Sequence, residues 1–234
     1  ALADVAQSVT GVILGIFLFC HMAFTSSVQI SKDLFANLIN TSGGMFMFAE
    51  EQAWLHVVFV GFITLCVVIH AFCALRRFPT SYHQLRDIKA HYKMLRHEDT
   101  TLWMVQLVTA FLLFIFMLCN PHGFDVNLIG VHTHHMGMIY TFVFLVITEL
   151  HGMIGLYRLA VKWDIFAKNP ETDIIDQRNG DRAGLRKTFL FIALLMIVCG
   201  TLTAWKNYSI GAELIENGQE ATRYVLADEN NWWK

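Results

Sequence analysis

Five stretches of this chain are apolar for about 20 residues each, the length that crosses a bilayer as a helix. They cover residues 8–28, 53–75, 102–119, 136–161 and 188–204. A segment in lipid must satisfy its backbone hydrogen bonds internally, so all five are expected to be α-helices. Composition points the same way. Of 234 residues, 55% are hydrophobic and only 15% charged, against about 25% charged in an ordinary soluble domain. A formal net charge of -2 argues against nucleic acid as a partner. No internal repeats or low-complexity tracts are read. The expected fold is an all-α membrane protein, one domain over 1–234, with five transmembrane helices in a bundle and a tail at 205–234.

Loop charge sets the orientation. The connection after the second span carries Arg76, Arg77, Arg86, Lys89, Lys93 and Arg96. The one after the fourth carries Arg158, Lys162, Lys168, Arg178, Arg182, Arg186 and Lys187. Between the first and second spans there is only Lys32, and between the third and fourth there is no Lys or Arg. The N-terminus and both basic loops are therefore expected in the cytoplasm. The tail faces outward, with Trp232 and Trp233 as interfacial anchors. The first residues lack a basic stretch, so insertion is expected to use the first helix itself. A short interfacial helix is expected around Lys32 to Ile39, a turn at Asn40 to Gly44, and a cytoplasmic loop over Pro170 to Gly184.

Ionisable side chains at membrane depth are costly and point to function. The fourth span holds Glu149 and His151, followed by Gly152 and Gly155, which reduce side-chain bulk. Histidines lie on three other segments. At 1.5 Å per residue, His70 and His151 come about 9 and 16 Å from the cytoplasmic end, and His21 and His122 about 21 and 31 Å from it. One membrane histidine can simply bond a neighbouring helix. Four that sort into two depth-matched pairs suit two stacked haems, each ligated from both faces. His122 follows Pro121, and His132, His134 and His135 are rivals for its place. As zinc ligands, His134 and His135 are poorly spaced, since neighbours on a helix point apart. His56 reads as packing, and His83, His91 and His97 as residues of the basic loop. The five cysteines fall in or beside apolar runs and form no Cys-x-x-Cys-His motif. Any haem is held by ligation and packing.

Several stretches together resemble one family. They are Gln7-Ser8 through His21, Val68-Ile69-His70-Ala71-Phe72, Arg77-Phe78-Pro79, Arg96-His97 with Asp99-Thr100-Thr101-Leu102-Trp103, and Glu149-Leu150-His151-Gly152 through Lys162. With His21 and His70 49 positions apart, the chain is similar to the di-haem cytochrome b subunit of bacterial quinol:fumarate reductases and their succinate:quinone oxidoreductase relatives. The likeness fades beyond Lys162. It implies His70 and His151 as ligands of the inner haem, and His21 with a third-helix residue for the outer one. The ungapped third-helix position is Asn120, so His122 takes the role only with a local bulge. Gln7, Ser8, Trp103 and Lys162 are implied as contacts of the inner propionates. The family's carboxylate near the outer quinol site falls on Gly43, and Glu50 or Glu51 is the substitute. An Arg expected near the outer propionates is absent, with the cluster from His132 to His135 nearby.

The resemblance implies two haems b and menaquinol in this subunit. It further implies a flavoprotein subunit with FAD for the fumarate chemistry, and an iron–sulfur subunit docked on the loop from Arg76 to Asp99. The setting is the bacterial cytoplasmic (inner) membrane, with a dimer of heterotrimers as an admissible assembly. Glu149 is a candidate proton carrier or an interhelical hydrogen-bond partner. An outer quinol site at Glu50 and Glu51, where a helix N-terminus favours the ionised carboxylate, stands beside an inner alternative near Trp103. Two other readings remain at this stage. A cytochrome b anchor of another respiratory dehydrogenase, such as a hydrogenase, would copurify with nickel instead of FAD. A transporter with a His and Glu proton relay would show no Soret absorption.

Overall fold

The computed structural model describes residues 2–41, 53–76, 78–95, 98–119, 135–165 and 175–216. Among them are seven α-helices, one 3-10 turn and no strand. These are α1 (Leu2–Ser26), the turn Ser27–Gln29, α2 (Lys32–Asn40), α3 (Ala53–Leu75), α4 (Tyr82–Leu95), α5 (Glu98–Cys119), α6 (His135–Lys162) and α7 (Ile175–Glu216). Five are long and apolar enough to cross a membrane, over Leu2–Gln29, Val57–Leu75, Glu98–Phe116, Ile139–Lys162 and Arg182–Ile210. The all-α expectation and the five spans hold. So does the short helix near Lys32, whose start is capped by the Ser31 hydroxyl accepting from Leu34 N at 2.9 Å.

Helix boundaries differ from the sequence reading at several places, for one physical reason. Outside lipid a helix needs no apolar composition, so hydropathy marks the span and misses the helix around it. The loop expected over Pro170 to Gly184 is helical from Ile175 onward, and α7 continues past residue 204 to Glu216. Charges hold that extension. Arg186 on α7 pairs with Glu98 and lies 3.5 Å from Asp99, both in the first turn of α5. The basic loop after the second span contains α4, a polar helix. At its other end α6 stops sharply. Asp164 takes φ 53, and Ile165 N bonds Ala160 O at 3.1 Å, the closing turn usually made with glycine. Lys162 is thereby the last helical residue.

The chain divides into two compact units. The first comprises Ala1–Ile16, Cys66–Ile115 and Ile147–Leu195. Among the described residues its core includes Cys66, Ile147, Met153, Ile154, Tyr157, Ala160 and Ala193, with Glu149 among them. Asp4 and Arg76 pair at 2.5 Å, joining α1 to the end of α3. At Gly15 on α1, an added Cβ would fall 2.8 Å from the Leu156 side chain of α6, so glycine permits that close crossing. The second unit comprises Phe17–Leu65, Phe116–Val146 and Met196–Lys234. Its core includes Met22, Val28, Phe35, Met196 and Ile210. A Cβ on Gly200 would meet Leu145 and Met22 at 2.7 to 2.8 Å. In both units large apolar side chains also face outward, among them Val57, Phe72 and Phe191. Such extensive exposed apolar surface suits lipid, not water.

Candidate functional site

The first unit brings His70 and His151 together. The two imidazoles lie within electrostatic reach of each other. Each is held by a threonine on a different helix. His70 on α3 places Nδ1 3.2 Å from Thr10 Oγ1 of α1. His151 on α6 places Nδ1 3.3 Å from Thr109 Oγ1 of α5. Gly11, next to Thr10, lets the His70 ring approach, since a Cβ there would stand 3.2 Å from His70 Cε1.

One face of α6 carries the polar part of the site. His151, Gly155, Arg158 and Lys162 follow at intervals of four, three and four, which stacks them along a single helix face. Arg158 donates to the Gln106 side-chain oxygen of α5. Lys162 Nζ donates to Ser8 Oγ of α1 at 3.2 Å, while Ser8 spends its own proton on Asp4 O at 2.8 Å. At Gly155 a Cβ would stand 2.9 Å from Gln106 Nε2, the end of a flexible side chain on α5. Gly11 is the glycine that lies against a histidine.

Of the four residues expected around propionates, Ser8 and Lys162 are in contact. Gln7 stands beside Ser8, and its backbone carbonyl lies 3.2 Å from Thr10 Oγ1, the hydroxyl that holds His70. Trp103 lines an open cleft of about 540 Å³ with Arg76, Phe78, Gln84, Asp87 and His91. The cleft also places His91, read from sequence only as part of the basic loop, beside Trp103.

Glu149 sits two residues before His151, hence on another face of α6. It is 0% exposed, and among the described residues neither carboxyl oxygen has a hydrogen-bond partner. Beyond it on that face come Met153 and Tyr157, both buried. Tyr157 donates to Asp99 Oδ1 at 2.7 Å.

In the second unit His21 is half-buried and stacks on Phe17 at 5.3 Å between ring centroids. Its expected partner, His122, lies outside the described residues, as do Glu50, Glu51, Gly43, Asn120, His132 and His134. His135 opens α6.

The model of the succinate dehydrogenase/fumarate reductase transmembrane subunit family matches residues 83–203. The fumarate reductase cytochrome b subunit of Helicobacter pylori is 34% identical over 244 residues, covering 99% of this chain and 89% of that protein. The chain belongs to this family. The fumarate reductase cytochrome b subunit of Wolinella succinogenes is 32% identical over 207 residues, 84% of this chain and 77% of that one. As a member of the family, with five apolar spans, the chain is a multi-pass membrane protein and a cytochrome b subunit by kinship. The part matched by the family model holds Thr109, His151, Arg158 and Lys162, whereas His21, His70 and Thr10 precede it.

Sequence reasoning missed Thr10, Gly11, Gln106 and Thr109. A sign of them was there. Gln7-Ser8-Val9-Thr10 and Gln106-Leu107-Val108-Thr109 share the pattern Gln-x-Val-Thr. In this family member each copy ends on the threonine that holds a histidine.

Proposed function

We propose that this chain is the membrane anchor of a quinol:fumarate reductase, a menaquinol-oxidising subunit that binds two haems b. The observation that carries the reading is the pair His70 and His151. They lie in one unit, and each turns Nδ1 to a threonine, which leaves Nε2 for iron. When bound, haem supplies a one-electron iron centre between menaquinol and an iron–sulfur partner. The donor set fits the group. Two neutral imidazoles suit haem iron, and the ammonium of Lys162 beside the Ser8 hydroxyl suits an anionic propionate. Gln7 and Trp103 complete that proposed set. His21 and His122 hold the second haem.

The chain's own residues do the remaining work. Glu50 or Glu51 accepts the proton as menaquinol is oxidised. Glu149, buried among apolar side chains, holds a proton and passes it along α6. Burying an ionised carboxylate without a partner is far costlier than burying the neutral acid, so gaining or losing a proton there is tied to charge arriving nearby. Fumarate reduction belongs to a flavoprotein subunit with FAD. An iron–sulfur subunit docks on the surface from Arg76 to Asp99, which carries α4. The complex sits in the bacterial cytoplasmic membrane with the N-terminus of this chain inside, and dimerises as heterotrimers.

The test is an optical spectrum of the purified complex with metal and flavin analysis. Soret and α bands of six-coordinate haem b, with FAD, are expected. Nickel without FAD would favour a hydrogenase anchor, and no Soret band would favour a proton-relay transporter.

The second haem gives a sharper expectation. His122→Ala should remove it, or lower its occupancy and shift its potential, while the haem at His70 and His151 stays. Redox titration followed at the α band reads both centres. Unchanged spectra and potentials would pass the role to the cluster from His132 to His135.

A further inference from the structure

The two threonines against His70 and His151 are placed alike. Thr10 Oγ1 lies 2.7 Å from the Ala6 carbonyl and 3.2 Å from the Gln7 carbonyl. Thr109 Oγ1 lies 2.8 Å from the Val105 carbonyl and 3.1 Å from the Gln106 carbonyl. A hydroxyl has one proton to give and two lone pairs to receive. In each case that proton goes down the threonine's own helix. Towards the histidine the oxygen can therefore only accept, so Nδ1 carries the proton. The carbonyl of Gln7 stands near His70 as a second acceptor, and that of Gln106 near His151. Two helices thus present the same cradle, an i−3 carbonyl and a threonine oxygen, to two different histidines. The cradle is written in sequence as Gln-x-Val-Thr, at Gln7 to Thr10 and at Gln106 to Thr109.

We propose that Thr10 and Thr109 are positioning residues that fix both imidazoles in the Nδ1–H form, aim Nε2 at one iron and set that iron's potential. The inference rests on the haem reading above. A metal-bound imidazole that donates through its other nitrogen is a stronger ligand, because the hydrogen bond leaves more electron density on the ring. A stronger donor favours ferric over ferrous iron. The two threonines, one per face, hold the potential of this haem low. A pair used only for packing would have no such effect.

The experiment uses the assembled complex with Thr10→Val, Thr109→Val and the matching serine variants. Valine keeps the branched shape and removes the acceptor, whereas serine keeps the hydroxyl. Redox titration is expected to show the potential of the His70 and His151 haem raised in each valine variant and restored by serine. Outer-sphere partners change metal affinity by about tenfold or more. A tenfold change in the ferric-to-ferrous preference is about 59 mV for a one-electron couple. If a valine variant loses this haem while its serine counterpart keeps it, the hydroxyl is needed for ligation, which also supports the proposal. Potentials unchanged by valine would overturn it. Valine and serine variants that shift alike, or lose haem alike, would overturn it in favour of packing. A wild-type complex that holds haem separates these outcomes from failure of the haem reading. A wild-type complex without haem would overturn both.

Discussion

Alanine at His70 or at His151 is expected to remove one haem and leave the other. On the proposed reading both histidines would hold one haem, so losing either would leave that haem with a single protein ligand. A haem held without covalent attachment depends on those bonds and on packing. The fold should survive the change. His70 and His151 are only half-buried, and the core of their unit is made by Met153, Ile154, Tyr157 and their neighbours. The threonine left behind keeps its bond to its own helix carbonyl, at 2.7 Å for Thr10 and 2.8 Å for Thr109. Haem content should fall by half, and quinol-driven fumarate reduction should be lost because the electron path is broken. Fumarate reduction with a soluble dye donor, which bypasses this subunit, should remain. Redox titration of each variant checks it. Retention of both haems with unchanged potentials would show that this pair does not ligate iron.

The second large effect is expected at Glu50 and Glu51. Oxidising a quinol releases protons, and a carboxylate in reach of the hydroxyls takes them. Glu50→Gln and Glu51→Gln keep size and remove that capacity. The double variant should retain both haems and oxidise menaquinol analogues slower by about 100-fold or more, the usual weight of a general base. Each single variant tells which carboxylate acts. A wild-type rate in the double variant would move the search to the cleft lined by Trp103, Arg76 and His91.

How much of this was legible in the sequence depends on what each feature needs from lipid. Hydropathy places the second span at 53–75 and the helix is Ala53–Leu75; it places the fourth at 136–161 and the helix is His135–Lys162. Lipid demands unbroken apolar character there, so composition marks the ends. It makes no such demand on Ile175 to Gly184, where Arg186 and the acidic start of α5 tie the helix down. His70 and His151 were found because a titratable side chain in an apolar run stands out. Thr10 and Thr109 did not stand out. A threonine in a membrane helix ordinarily bonds its own i−4 carbonyl, and both do so. Their second contact, to another helix, exists only once the helices are packed. The surroundings of Gly155 are hidden in sequence for a related reason. Its missing side chain is visible in sequence, but Gln106, which lies against it, comes from another helix. Lys162 and Ser8, implied by family resemblance, are in contact across 154 positions of the chain, a pairing that no local pattern could specify.

The proposed function places two haems in this chain, one on His70 and His151 and one on His21 with His122. Haem per chain, measured by pyridine haemochrome against quantitative amino-acid analysis of the purified complex, decides whether the chain holds them. Two non-covalent haems b per chain is the predicted result, and one or none would contradict it.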